Sequence, residues 1–166
     1  MLTLTTIVKE VVDDTFMYSE SISTVKLDDV LDADIVFIGI FTFSAIREYE
    51  LTRFIKNNSN VIVVMGGLHA SMNYPEAVNY CDYVLLDEGD ESILEFIDSI
   101  QKEAPINFLG IAYQRNNKLI FTGNRKPPEN INIIPNRYLL YRYNKMAWHN
   151  TLWPQEDAPI TAITVQ

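Results

Sequence analysis

Apolar residues in this chain gather in short runs separated by amphipathic stretches. Four runs rich in β-branched residues stand out: residues 7–12 (IVKEVV), 34–40 (DIVFIGI), 61–65 (VIVVM) and 83–87 (YVLLD). Three are nearly continuous in apolar character, which predicts strands buried on both faces of a parallel sheet. Between them the period changes. Residues 45–56 (AIREYELTRFIK) place Ile46, Tyr49, Leu51, Phe54 and Ile55 largely on one side of a helix. A weaker helix is expected to begin near Pro75, whose fixed φ suits a first turn, and to end before Asp82. Residues 90–102 carry Ile93, Leu94, Ile97 and Ile100 at helical spacing, with acids at the start where the helix dipole favours them.

This alternation predicts an α/β fold, a Rossmann-like open, mostly parallel sheet with helices on both faces. FLGIAYQ, RNN and KLIFTG then read as a C-terminal β-hairpin with its turn at the asparagines. After Gly123 the stretch NRKPPENINIIPNRYLLYRYNKM has three prolines and no clean period, so it reads as a surface strap. The final PITAITVQ looks like the start of another strand. The expected division is a domain at 1–125 and a linker at 126–166.

Composition narrows the function classes. Hydrophobic residues make up 48% and charged residues 21%, an ordinary globular balance. The net charge of −9 disfavours nucleic acid and anionic membranes as partners. No apolar run approaches the length of a membrane span, and the first residues have neither the basic leader nor the apolar core of a signal peptide. Cys81 is the one cysteine, which rules out an internal disulfide and suits the reducing cytoplasm.

Ligands of open parallel sheets bind beyond the carboxyl ends of the strands. Three loops fall there: FTFSA (41–45), GGLHAS (66–71) and DEGDES (87–92). Gly66 and Gly67 permit positive φ and close approach of a bulky ligand. Gly89 stands among acids just before a helix, where free N–H groups receive an oxygen-rich ligand. Each loop also has an ordinary structural reading: a Gly-Gly turn, a surface histidine, acids that cap a helix. Cys81 reads as a small core or helix-end residue.

The ordered set is more specific than its parts. D-I-V-x-I-x-I-x-T-x-S at 34–44, V-V-M-G-G-x-H-A-S at 63–71, P-E-A at 75–77 and D-Y-V-x-x-x-E-G-D-E at 82–91 resemble the cobalamin-binding domain of cobalamin-dependent radical SAM proteins. The match covers about residues 30–125, and the Pro-rich strap resembles the family's lead into its catalytic barrel. The resemblance implies a cobalamin site at Thr42, Phe43, Ser44, Gly66, Gly67, Leu68, His69, Ala70, Ser71, Glu88 and Gly89. GGLHAS would be a floor beneath the corrin or its nucleotide tail, glycine being needed because a Cβ would hold the ligand off the backbone. Glu88 and Gly89 would meet the tail or a corrin amide. It also implies a radical SAM catalytic domain in the same polypeptide, with a [4Fe-4S] cluster and S-adenosylmethionine, and a methyltransferase as the class of enzyme.

The sequence departs from the pattern at several points. Asp87 and Asp90 replace the first Gly and last Glu of the family's Gly-Glu-Gly-Glu stretch. The Asp-x-His-x-x-Gly motif of cobalamin mutases, whose histidine ligates cobalt, has Gly67 and Met72 at its Asp and Gly positions, so His69 reads as a hydrogen-bonding loop residue rather than a metal ligand. No Cys-x-x-x-Cys-x-x-Cys motif is present, so this chain alone is expected to be inactive. The family's first strand is apparently missing. MLTLTTI reads as a remnant helix passing into a strand at KEVVDD, and the edge left open favours a homo-oligomer. A phosphoreceiver, a flavodoxin and a G-x-G-x-x-G dinucleotide domain each lack a required motif here. A cofactor-free docking module stays open as the alternative. The aromatics Tyr138, Tyr141, Tyr143, Trp148 and Trp153 suit either an interdomain core or a recognition surface.

Overall fold

The computed structural model describes residues 1–20, 25–128, 132–136 and 139. The aromatic tail and PITAITVQ lie outside the described residues. A five-stranded sheet runs in the order β1 (Ile35–Gly39), β2 (Ile62–Gly66), β3 (Tyr83–Leu85), β4 (Ile111–Arg115), β5 (Lys118–Phe121). The first three strands are parallel and the last two form an antiparallel hairpin on β3. Asn116 and Asn117, both at positive φ, make its two-residue turn, the conformation that matches the twist of the flanking strands.

Alternate residues of each strand serve opposite faces. Ile38, Ile40, Val63, Met65, Val84 and Leu86 pack under α2 (Leu27–Leu31), α3 (Ala45–Asn58), α4 (Leu68–Met72) and α5 (Tyr74–Ala77). Phe37, Val64, Leu85 and Ile111 pack under α1 (Leu2–Lys9) and α6 (Ser92–Gln101). Helices therefore cover both faces. Phe96 anchors the second face, fully buried and edge-on to Phe37 and Tyr83. No described helix is long and apolar enough to cross a membrane.

One expected strand is absent. Residues 7–12 give the end of α1 and a turn, because Leu4, Ile7 and Val8 lie at helical spacing and fill the α6 face of the sheet. Thr5 and Thr6 join the helix by donating from Oγ1 to the Met1 and Leu2 carbonyls. Nothing pairs with the outer edge of β1 among the described residues, so the edge expected to be open is open there. The weaker helix expected near Pro75 is present as α5, with Pro75 in its first turn, but it ends at Ala77; α4 is a further short helix that begins inside GGLHAS, a segment expected to be loop.

Candidate functional site

Since β1, β2 and β3 are parallel, the segments after them emerge on one rim. Hydrogen bonds join these segments. The Ile40 N–H donates to the Gly66 carbonyl at 2.8 Å, and the His69 N–H donates to the Ile40 carbonyl at 3.2 Å. The Asp87 N–H donates to Ser71 Oγ at 3.1 Å. Thr42 to Ser44, Gly66 to Ser71, and Glu88 with Gly89 thus share the rim expected of them.

Each segment has a local cause. Ser44 donates from both N–H and Oγ to the Phe41 carbonyl, closing the turn that starts α3. That turn stacks Phe41 on Phe43, centroids 5.6 Å apart and planes at 7°, and leaves Phe43 89% exposed. Gly67 has φ +90° and ψ 174°, a region open to glycine alone, and it starts α4. Buried Ala70 pins α4 to the sheet, so Leu68 and Met72, one turn apart, face outward. Ile46 adds another exposed side chain at the start of α3. The segments that share this rim thus carry exposed apolar side chains, Phe41, Phe43, Ile46, Leu68 and Met72, with Asp87 and Glu88 exposed on the β3 side.

Two expectations are corrected in detail. A Cβ on Gly67 would stand 3.0 Å from the Ile40 carbonyl oxygen, so the fold itself requires this glycine whether or not a ligand approaches. Gly66 is less constrained, its Cβ meeting only the Leu85 carbonyl at 3.6 Å. Gly89 is shielded by Leu4 of α1, whose Cδ1 would lie 3.2 Å from a Cβ there. The acids around it do not cap α6 through their side chains.

His69 sits across the rim from Thr42, Nδ1 to Oγ1 at 3.3 Å, and Asn73 Nδ2 is 3.5 Å from the same nitrogen. Its Nε2 is turned inward, buried and without a partner. Burial pushes the Asp90 carboxyl up from its ordinary range. Arg125, just after the hairpin, grips Glu91 at the N-cap of α6 and Glu95 within it at 2.7 and 2.8 Å, and its N–H faces Asp87.

A concave surface lies at the opposite end of the strands. A cleft of about 420 Å³ is bordered by Lys56, Val61, Cys81, Asp82, Tyr83 and Tyr113. Its chemistry is inert: Asp82 is held by Lys56 at 2.7 Å, and burial pushes the Cys81 thiol up to about 12, so it stays protonated.

Sequence reasoning missed Tyr49, Asn73 and Met72 at the site, and the reach of Leu4 to the rim. Asn73 carried a signal in its spacing four residues after His69. Tyr49 carried none, since its position on the apolar side of α3 reads as core.

No family model and no curated protein matches the chain. Four solved chains match it. One is the crystal structure of the N-terminal domain of the hypothetical protein TM0182 from Thermotoga maritima, 20% identical, with a TM-score of 0.42 over 58% of this chain and 79% of that one.

Proposed function

We propose that this chain is the cobalamin-binding module of a radical SAM enzyme, a methyltransferase by class, acting with a catalytic barrel elsewhere in the same cytoplasmic polypeptide. The observation that carries the reading is the rim, where the three motif-bearing segments converge and carry the exposed apolar side chains of Phe41, Phe43, Leu68 and Met72. Broad apolar surface with a few polar groups at its margin suits a flat macrocycle fringed with amides. Phe43 would lie against the ring. Gly66, Leu68 and the start of α4 would support it, with Thr42 Oγ1, His69 Nδ1 and Ser71 Oγ in reach of its polar fringe. The fit is weaker at Gly89, which Leu4 covers. When bound, cobalamin carries a methyl group from S-adenosylmethionine toward the substrate; the protein's part is to orient the ring and exclude water.

The docking-module reading has its own support. Met1 and Leu4 fill the space over Gly39 and Gly89, so part of the rim is already occupied by α1. Titrating the purified chain with hydroxocobalamin, then gel filtration and visible absorption, separates the two. Colour that travels with the protein supports the cofactor module. Colourless, folded protein favours docking. The same column with light scattering tests whether the open edge of β1 pairs two copies.

A further inference from the structure

Two described side-chain atoms are buried without a hydrogen-bond partner, Tyr49 Oη and His69 Nε2. They belong to adjoining rings, with centroids 6.2 Å apart and planes inclined at 58°. A buried polar group left unpaired is costly, so two such atoms on neighbouring rings are naturally satisfied together. Tyr49 is 6% exposed and stacks on Tyr80 at 3.9 Å. Burial, and after it the charge of the Glu76 carboxylate, pushes the phenol up to about 12.

The far side of the imidazole bears on where its proton sits. Asn73 Nδ2 donates to the His69 carbonyl at 3.1 Å, which identifies that atom as the amide nitrogen. The same nitrogen stands 3.5 Å from His69 Nδ1 and has no lone pair to offer, an arrangement that suits an acceptor Nδ1 with the proton on Nε2.

We propose that Tyr49 is a positioning residue for His69. The chain of donors runs from the Thr42 hydroxyl to Nδ1, from Nε2–H to Tyr49 Oη, and from the Tyr49 hydroxyl to Glu76, directly or through one shared water. The phenol takes the part of the orienting acid that Gly67 cannot supply, and it comes from α3 rather than from the adjoining loop. The result is an imidazole fixed at the rim, its Nδ1 lone pair taken by the Thr42 hydroxyl. Resting on the cobalamin reading, the Thr42 oxygen so oriented is the acceptor that suits a primary amide N–H of the corrin fringe.

The test uses the full chain, free of cofactor, with ¹⁵N-labelled histidine. There are two histidines, and His69→Gln assigns the signals. His69 should show the Nε2–H tautomer with its proton protected from solvent. Tyr49→Phe keeps the ring stack and should lose that protection and mix the tautomers; Glu76→Ala should shift them the same way, less far. An Nδ1–H tautomer in the parent, or identical His69 signals in Tyr49→Phe, would overturn the proposal. If the variant does not fold, the parent's tautomer decides. The hydroxocobalamin titration is scored separately, so failure of either leaves the other standing.

Discussion

The main chain of Ile40 closes against Gly67 so tightly that a methyl group on Gly67 would stand 3.0 Å from the Ile40 oxygen and 3.1 Å from its nitrogen. Backbone in this glycine-only region costs other residues about 1–3 kcal/mol, so Gly67→Ala should lower unfolding stability by roughly that amount. Loss of ligand in that variant would therefore say little about the site. Gly66→Ala is the cleaner probe, because replacing glycine within a strand is neutral or stabilising by up to about 1 kcal/mol. It should melt like the parent and bind hydroxocobalamin more weakly. Normal binding would remove GGLHAS from the proposed floor.

The strands at 34–40, 61–65 and 83–87 and the hairpin were legible because buried strands impose a local apolar run and the turn imposes its own residues. The run at 7–12 fits the same template, yet Leu4, Ile7 and Val8 also satisfy the helical one, and only the groove beside α6 decides between them. α2 is short and buries only Val30, too little to leave a period. At the site, the converging loops could be read from strand order. The inward turn of His69 could not, since it depends on Tyr49, twenty residues earlier and on another element.

Asp82 offers a contrast between charge and backbone satisfaction. Both its oxygens lie 2.7 Å from Lys56 Nζ, and Oδ2 also accepts from the fully buried Val63 N–H at 2.8 Å. Asp82→Ala orphans that N–H and should cost about 1–3 kcal/mol in urea unfolding. Lys56→Met removes a half-exposed ion pair and should cost less than about 1 kcal/mol. Equal losses would show that the ion pair, not the strand bond, carries the contribution.

Cys81 should be a quiet thiol. Its one S–H lies between the Ala77 and Tyr83 carbonyls, and burial raises it to about 12. At about pH 8 it then holds roughly a thousandfold less thiolate than a free cysteine. Disulfide-exchange reagents should label it slowly in the native protein and rapidly in denaturant. Fast native labelling would mean that the β3 end of the sheet opens readily.

The grip of Arg125 on α6 should be visible as an acid limb in stability. Both Glu95 oxygens accept from its guanidinium at 2.8 Å, and those bonds hold the Glu95 carboxyl below its usual range. A carboxyl lowered by folding stabilises fully above its unfolded pKa, about 4.3 for glutamate, and that contribution fades as pH falls through the lower folded value. Burial moves Asp90 and Glu48 the other way, so the parent's curve alone mixes opposite signs. The difference between parent and Glu95→Gln isolates the contact. It should favour the parent near neutral pH and close toward about pH 3, read from urea midpoints across that range. A gap that persists unchanged at the acid end would show that packing, rather than charge, fastens the segment after the hairpin to α6.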